Sequence, residues 1–520
     1  MGTSTHNFQR QMRRTAEDAG LILIMPPQLG LLGGFSTSLI PLAAFVAEQL
    51  PVVQIELLDL SEIVLLDVEE RIRETLLSMS CSRLIVGITT TTASYQSALT
   101  VARAVKKLQP DAKVVLGGSH AGADAETVLR NHPEIVDYIV AGEGEKPLVD
   151  LLAHPEAVDI PGLAYLVGGH FVQQPPAPFL EQEELNRLPL TFRQSGVVGT
   201  PGKFGHVTYV SARGCPWRCA FCAVGCQRIR AKSVERVVKD VRELVGMGFS
   251  SIAIEDNLFA HSSAKTHVLC LALAALREGG LHFSWDCQTR VESLARPGMV
   301  SRMAKAGCEA VYIGVESLIP DHLRYLGKTT NPLKYLEQLE EVVVPNLLAS
   351  SVDCYLNIQL GLPGETTDHH DLTLNMLEKL GTRAVQYGKV ITIFPQLHVV
   401  YPGTVLFWEG LRKGRFSSNM FETFTEWEAH QEPVLTWLGD HFAHGTGGVP
   451  DGVLGPGILR EGNYIVDSEV VLRITNCLTA MEKIRGLSVF RYSDYLVGRG
   501  TALKGKLAQA RLSNSAAAAG

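Results

Sequence analysis

Ser211-Ala212-Arg213-Gly214-Cys215-Pro216-Trp217-Arg218-Cys219-Ala220-Phe221-Cys222 is the stretch on which the reading of this chain turns. Its cysteines are spaced C-x3-C-x2-C. Three thiolates on one short loop can each hold one iron of a [4Fe–4S] cluster, and the fourth iron is then open to a substrate or cofactor. Gly214 lets the chain turn tightly ahead of the first cysteine. Arg213 and Arg218 offset the thiolate charge, and Phe221 offers an apolar platform for a flat ring. Cys226 leaves a second reading open, because a fourth sulfur would complete an all-cysteine zinc tetrahedron.

The surroundings of the loop set its fold. Apolar runs at 206–212, 251–255, 282–289, 310–316, 353–360 and 390–400 alternate with helical stretches. The clearest helix has Ser233 as N-cap, an apolar stripe of Val234, Val237, Val238, Val241, Leu244 and Val245, and Gly248 as its stop. Six β/α units are too few for a closed eight-stranded barrel, so a partial (β/α)6 barrel is expected over 200–415. Upstream, continuous apolar runs at 21–25, 52–60, 84–89, 113–116 and 138–141 read as a parallel sheet covered on both faces. An α/β, doubly wound, Rossmann-like domain is therefore expected over 1–190, with a ligand edge beyond the carboxyl ends of its strands. Residues 161–189 read as a short strand and a linker. Beyond 415 the alternation is lost, and 416–520 is expected to be a mainly helical cap with an Ala-rich end.

The chain has 520 residues, 46% of them hydrophobic and 19% charged. That length suits about three domains at roughly 100–200 residues each, and the composition is not that of a disordered chain. The 47 basic and 54 acidic side chains leave a net charge of −7, which argues against broad nucleic-acid binding. The uncharged stretch 21–47 is broken by Pro26, Pro27, Gly30, Gly33, Gly34 and Pro41, so it reads as strand, loop and helix rather than a membrane span. Glu17 and Asp18 precede the apolar run, unlike a signal peptide, and the expected compartment is the cytoplasm. Four of the ten cysteines fall within twelve residues, a metal-binding pattern in a cytosolic chain.

The cysteine loop, placed after the first strand of the six-unit repeat, resembles the signature of the radical S-adenosylmethionine (SAM) superfamily. The resemblance covers the six-unit stretch. It implies a cluster on Cys215, Cys219 and Cys222, with SAM chelating the open iron and Phe221 near the adenine. The strand ends then become SAM contacts: Glu255 and Asp256 toward the amino group, Arg290 toward the carboxylate with Gln288 on the same strand end, Glu316 toward the ribose, and Gly361 and Pro363 beside the adenine. Each has a plainer reading too. Glu316 could cap the next helix, Arg290 could be a surface ion-pair partner, and Pro363 could mark a turn.

A doubly wound domain ahead of such a barrel is similar to the cobalamin-binding radical SAM subfamily. That resemblance places the corrin at Thr89, Thr90, Thr91, Ser94, Gly117, Gly118, Ser119, His120, Gly142, Glu143 and Gly144. No Asp-x-His-x-x-Gly occurs, so no histidine from that motif is expected on cobalt, and His120 has the plainer reading of a polar loop residue. A domain that only packs on the barrel is the alternative. The family chemistry implies a deoxyadenosyl radical drawn from SAM, hydrogen abstraction from a carbon of a small-molecule substrate, methyl transfer from methylcobalamin, and an external one-electron donor such as flavodoxin or ferredoxin. His441, His444 and Trp437 in the cap are further candidates for substrate contact. The same cofactors serving cyclisation or ring rearrangement, and a non-catalytic cobalamin or iron–sulfur sensor, are the competing functions. Neither nucleic acid nor membrane is an expected partner.

Overall fold

The computed structural model describes residues 18–27, 39–61, 67–92, 94–154, 159–190, 206–398, 400–414, 459–460, 463–464 and 468–490. Its first sheet holds β1 (Ala19–Met25), β2 (Gln54–Asp59), β3 (Arg83–Thr89), β4 (Lys113–Gly117), β5 (Tyr138–Val140), β6 (Leu163–Val167) and β7 (His170–Gln173). The order is β2-β1-β3-β4-β5-β6-β7. Strands β1 to β5 pair in parallel, which is the doubly wound order with its switch point between β1 and β3. Every residue of β1 is buried, as the unbroken apolar run requires of a strand covered on both faces. The expected short strand and linker at 161–189 is instead an antiparallel hairpin, β6–β7, that closes the sheet edge. The Gly168-Gly169 turn, with φ of 55° and 81°, makes the reversal.

The second sheet is parallel throughout: β8 (His206–Tyr209), β9 (Ser251–Ile254), β10 (Ser284–Thr289), β11 (Cys308–Glu316), β12 (Asp353–Leu360), β13 (Ile391–Leu397) and β14 (Leu487–Val489). It runs β14-β13-β12-β11-β10-β9-β8, an open partial barrel with one strand more than the six expected. The extra strand comes from the stretch expected to form the cap. The helix Ser468–Met481 packs Ile474, Cys477, Leu478 and Met481 into the barrel core, and β14 then joins β13. A three-residue strand is too short to show a period, so the alternation seemed to stop at 415. Most of 416–520 lies outside the described residues, including Trp437, His441, His444 and the Ala-rich end.

Helix Val234–Gly246 is capped as expected, with the Ser233 hydroxyl accepting from the Arg236 amide, and Gly248 follows at φ 98°. After β13 the chain returns to the first domain. Val400, Leu406 and Phe407 sit in the same buried cluster as Ile22, Ile24, Tyr95 and Leu116. Among the described residues no helix is long and apolar enough to cross a membrane.

Candidate functional site

The cysteine loop is braced from four sides. The carboxylate of Asp256 accepts from the amides of Ser211 (2.6 Å) and Ala212 (2.7 Å) and from the Ser211 hydroxyl (2.5 Å). The Asn257 side-chain oxygen accepts from the Gly214 amide at 3.3 Å. A two-residue antiparallel ladder, Ala212–Arg213 with Arg230–Ala231, closes the neck of the loop. Further along, the Ala220 amide donates to Leu326 O (2.8 Å), and Leu406 donates to Ala220 O (3.1 Å). Gly214 has φ 91°, and a Cβ there would lie 2.4 Å from Arg228 O, so the turn requires glycine.

The three thiols are free, and they feel one another. Burial pushes the Cys215 and Cys222 thiols up, and neighbouring cysteines push the same way. Among the described residues no three His, Cys, Asp or Glu side chains converge on a point that could hold one metal ion. A cuboidal cluster asks for a different arrangement, with one sulfur on each of three separate irons. Cys226 has a partner of its own. It is exposed, at φ 69°, with its sulfur 3.0 Å from Arg218 Nε. The donor set therefore suits a cluster with one iron left open better than a zinc tetrahedron.

Arg290 does not stand free to meet a carboxylate, and it is not on the surface. Only 5% exposed, it pairs with Glu292 at 3.0 Å, donates to Lys328 O, reaches Cys219 Sγ at 3.3 Å and lies 4.0 Å over the Trp217 ring. It braces the cysteine loop. Asp256, 2% exposed, serves the loop brace described above. Glu255 and Gln288 do meet at the barrel mouth, 3.2 Å apart.

Glu316 does not cap the following helix, whose N-cap is Ile319. It holds φ 70° at a register shift in β11, a conformation that strains a residue with a Cβ. Its carboxylate pairs with Lys328 Nζ at 3.0 Å and accepts from Gln359 Nε2 at 2.7 Å. Gln359 Oε1 in turn faces His398 Nδ1 at 2.8 Å. Burial holds the His398 imidazole down to about 4, so it is neutral near pH 7. Gly361, at φ 79°, and Pro363 form the turn after β12, where the Gly361 amide donates to Glu365 at 2.6 Å. Lys328, Gln359 and His398 carried no motif. Only the fold brings them to Glu316.

Trp285 and Cys287 of β10 lie in the buried core, so the two-residue period turns Asp286 and Gln288 to the barrel interior. There Tyr312 and Tyr355 stack at 4.7 Å. Burial, helped by Glu255 and Glu309, raises the Asp286 carboxyl from its ordinary 3.8 to about 7. The native state thus keeps a proton that the unfolded chain has lost, and this group's contribution to stability falls as pH climbs from about 4 to 7. Asp286→Asn should raise the melting midpoint at pH 8 and leave it unchanged at pH 3.5. An unchanged or lower midpoint at pH 8 would contradict this account.

On the first domain the expected corrin edge divides in two. Thr91, Gly118, Ser119 and Gly142 are exposed at the strand ends with Thr89 and Gly117 beside them, and a Cβ on Gly117 or Gly142 would meet nothing within 4 Å. Thr90, Ser94 and His120 lie behind that edge, which corrects the expectation of direct contact. The Thr90 hydroxyl donates to Gly117 O (2.6 Å) and accepts from the Ala121 amide (3.0 Å). Ser94 accepts from the Thr91 amide (3.0 Å), and the His120 ring stacks on Tyr95 at 4.1 Å. Glu143 is also reassigned. It pairs with Arg230 (2.8 Å) and Arg213 (3.3 Å), while Glu145 takes Arg213 at 2.8 Å. Gly144 packs near Leu42. The loop after β5 is thus tied to the root of the cysteine loop. Gly118, at φ 90°, would place a Cβ 2.3 Å from Thr90 O. Gly118→Ala should destabilise the protein by at least about 2 kcal/mol in denaturant unfolding, and a neutral result would mean the turn can relax.

The B12 binding domain model matches residues 43–152, and the Radical SAM superfamily model matches residues 209–377. An uncharacterized methyltransferase of Pyrococcus horikoshii is 31% identical over 337 residues, which is 62% of this chain and 68% of that protein. The chain belongs to the cobalamin-binding radical SAM enzymes. The hopanoid C-3 methylase of Methylococcus capsulatus is 27% identical over 49% of this chain, which spans about half (51%) of the methylase. The structure of the radical SAM methyltransferase TsrM from Kitasatospora setae, with cobalamin and a [4Fe–4S] cluster bound, aligns with a TM-score of 0.61 at 18% identity over 76% of each chain. The two domains of this cobalamin-binding radical SAM protein thus stand in the family's order, and the cofactors of the family are cobalamin, SAM and a [4Fe–4S] cluster.

Proposed function

We propose that this enzyme transfers a methyl group to a carbon of a small molecule. The observation that carries the reading is the cysteine loop itself. It holds three free thiols, with the Cys226 thiol exposed beside Arg218, and is clamped by ion pairs to the domain matched by the B12 model. Cys215, Cys219 and Cys222 would hold the cluster. Glu255, Gln288, Glu316 and Gly361 would line the SAM site at the barrel mouth. Thr89, Thr91, Gly117, Gly118, Ser119 and Gly142 would form the corrin edge. When bound, these groups supply radical generation and methyl donation. The chain's own residues orient and enclose. Asp256, Asn257 and Arg290 fix the loop, the Lys328–Glu316–Gln359 chain fixes the strand ends, and Phe221 packs against the first domain's core between the two halves. Enclosure keeps water from a reactive intermediate. The names of the Pyrococcus and Methylococcus relatives support methyl transfer, and the anaerobic magnesium-protoporphyrin IX monomethyl ester cyclase of Cereibacter sphaeroides, 28% identical over 56% of this chain, supports cyclisation as the second reading. An external one-electron donor such as flavodoxin or ferredoxin would feed the site.

The test is anaerobic reconstitution with cobalamin, SAM and candidate substrates, followed by mass spectrometry. Methyl transfer yields S-adenosylhomocysteine, 5′-deoxyadenosine and a product heavier by one methylene. Deoxyadenosine with an isomerised or cyclised product and no homocysteine compound would replace this reading by rearrangement chemistry. A complete lack of SAM cleavage under strong reductant would leave a sensor.

A further inference from the structure

A chain of side-chain contacts crosses the barrel mouth. It starts at Cys219 and passes through Arg290 to Lys328 O, then from Lys328 Nζ to Glu316, from Glu316 to Gln359, and from Gln359 to His398. The last member is the least expected. His398 is 1% exposed, and its Nε2 is buried with no hydrogen-bond partner among the described residues. Leaving a buried polar atom unmade is destabilising, so a purely structural histidine is a poor choice there. Its other nitrogen explains its presence. An amide side chain can turn either way. Gln359 can donate Nε2 to Glu316 only if Oε1 faces His398, and a proton on Nδ1 holds it so.

We propose that His398 is a positioning residue that orients the Gln359 amide and thereby aims the strained Glu316 carboxylate at the barrel mouth. The inference rests on the reading that Glu316 meets SAM. Gly314 fits the same purpose, because a Cβ there would lie 2.6 Å from Glu316 Oε1 and 2.9 Å from Lys328 Nζ. The carboxylate, the lysine and the amide are thus held in one arrangement by neighbours on β11, β12 and the segment after β13.

The test is equilibrium dialysis of SAM against the full chain loaded with its cluster under anaerobic conditions. Thermal unfolding of the unloaded chain runs alongside. His398→Leu should weaken SAM binding by roughly five- to tenfold, the loss of one hydrogen bond's worth of ordering, while the unfolding midpoint stays put. His398→Asn, which keeps a donor near the Nδ1 position, should recover most of the affinity. Gln359→Leu should weaken binding at least as much, and adding His398→Leu to it should change nothing further. Should the leucine variant not fold, His398→Phe keeps the ring's bulk and should show the same loss. Unchanged SAM affinity in His398→Leu would overturn the proposal. So would a full additional loss in the Gln359→Leu background, or a fall in midpoint that tracks the fall in affinity. Wild-type protein that bound no SAM would instead sink the reading of the site on which the proposal stands.

Discussion

Replacing Cys215, Cys219 and Cys222 together by Ala should give a folded protein that holds no iron and cleaves no SAM. Most of the loop's braces grip its backbone, and the Arg290 contact with Cys219 is the brace that goes with the sulfur. Asp256, Asn257, the Ala212–Arg213 ladder, Leu326 O and the Leu406 amide all remain in the triple variant. Unfolding midpoints of variant and wild type, both free of iron, should therefore agree closely. Iron after anaerobic reconstitution should drop from about four per chain to near zero, and the charge-transfer colour of the cluster should go with it. Cys226→Ala should keep its full iron, because that thiol is exposed and already held by Arg218. Iron or SAM cleavage surviving in the triple variant would remove the basis of the functional reading. Loss of iron in Cys226→Ala would reopen the question of a fourth ligand.

The second large effect is expected at Glu143. Arg230 has a side chain only 1% exposed, lies 4.3 Å from the Phe179 ring centroid and donates to Leu180 O at 3.0 Å. Glu143 is the carboxylate that balances it, at 2.8 Å, and it also accepts from the Leu180 amide at 2.9 Å. Glu143→Ala leaves a buried guanidinium without its counter-ion. Breaking such a pair from one side costs about 3–5 kcal/mol. Chemical unfolding should report that loss, and Glu143→Ala combined with Arg230→Met should recover much of it, since the buried charge then goes as well. A cost under about 1 kcal/mol for the single change would show that water reaches Arg230.

The domain order and both sheets were legible because their signals are local. Continuous apolar runs mark covered parallel strands, Ser233 and Gly248 bracket one helix, and C-x3-C-x2-C sits on one loop. The site was legible only as a list of strand ends. Sequence placed Asp256, Arg290, Glu143 and His120 at the right ends, but not the direction of their side chains. That direction is settled by tertiary partners: the amides of Ser211 and Ala212, the Glu292 and Cys219 side chains, Arg230, and the Tyr95 ring. Lys328 and His398 are 70 residues apart and carry no spacing that joins either to Glu316. Strand β14 escaped because three residues cannot display a period.

The return of Val400, Leu406 and Phe407 into the first domain's core bears on any attempt to take the protein apart. A cut between the two sheets would leave the amino-terminal fragment with an empty apolar socket and the carboxy-terminal fragment with a bare Phe407. Neither piece would be a self-contained unit, although each carries its own sheet. A chimera that exchanges one half with a relative's must carry the 400–414 segment with its socket, or rebuild the contact on both sides.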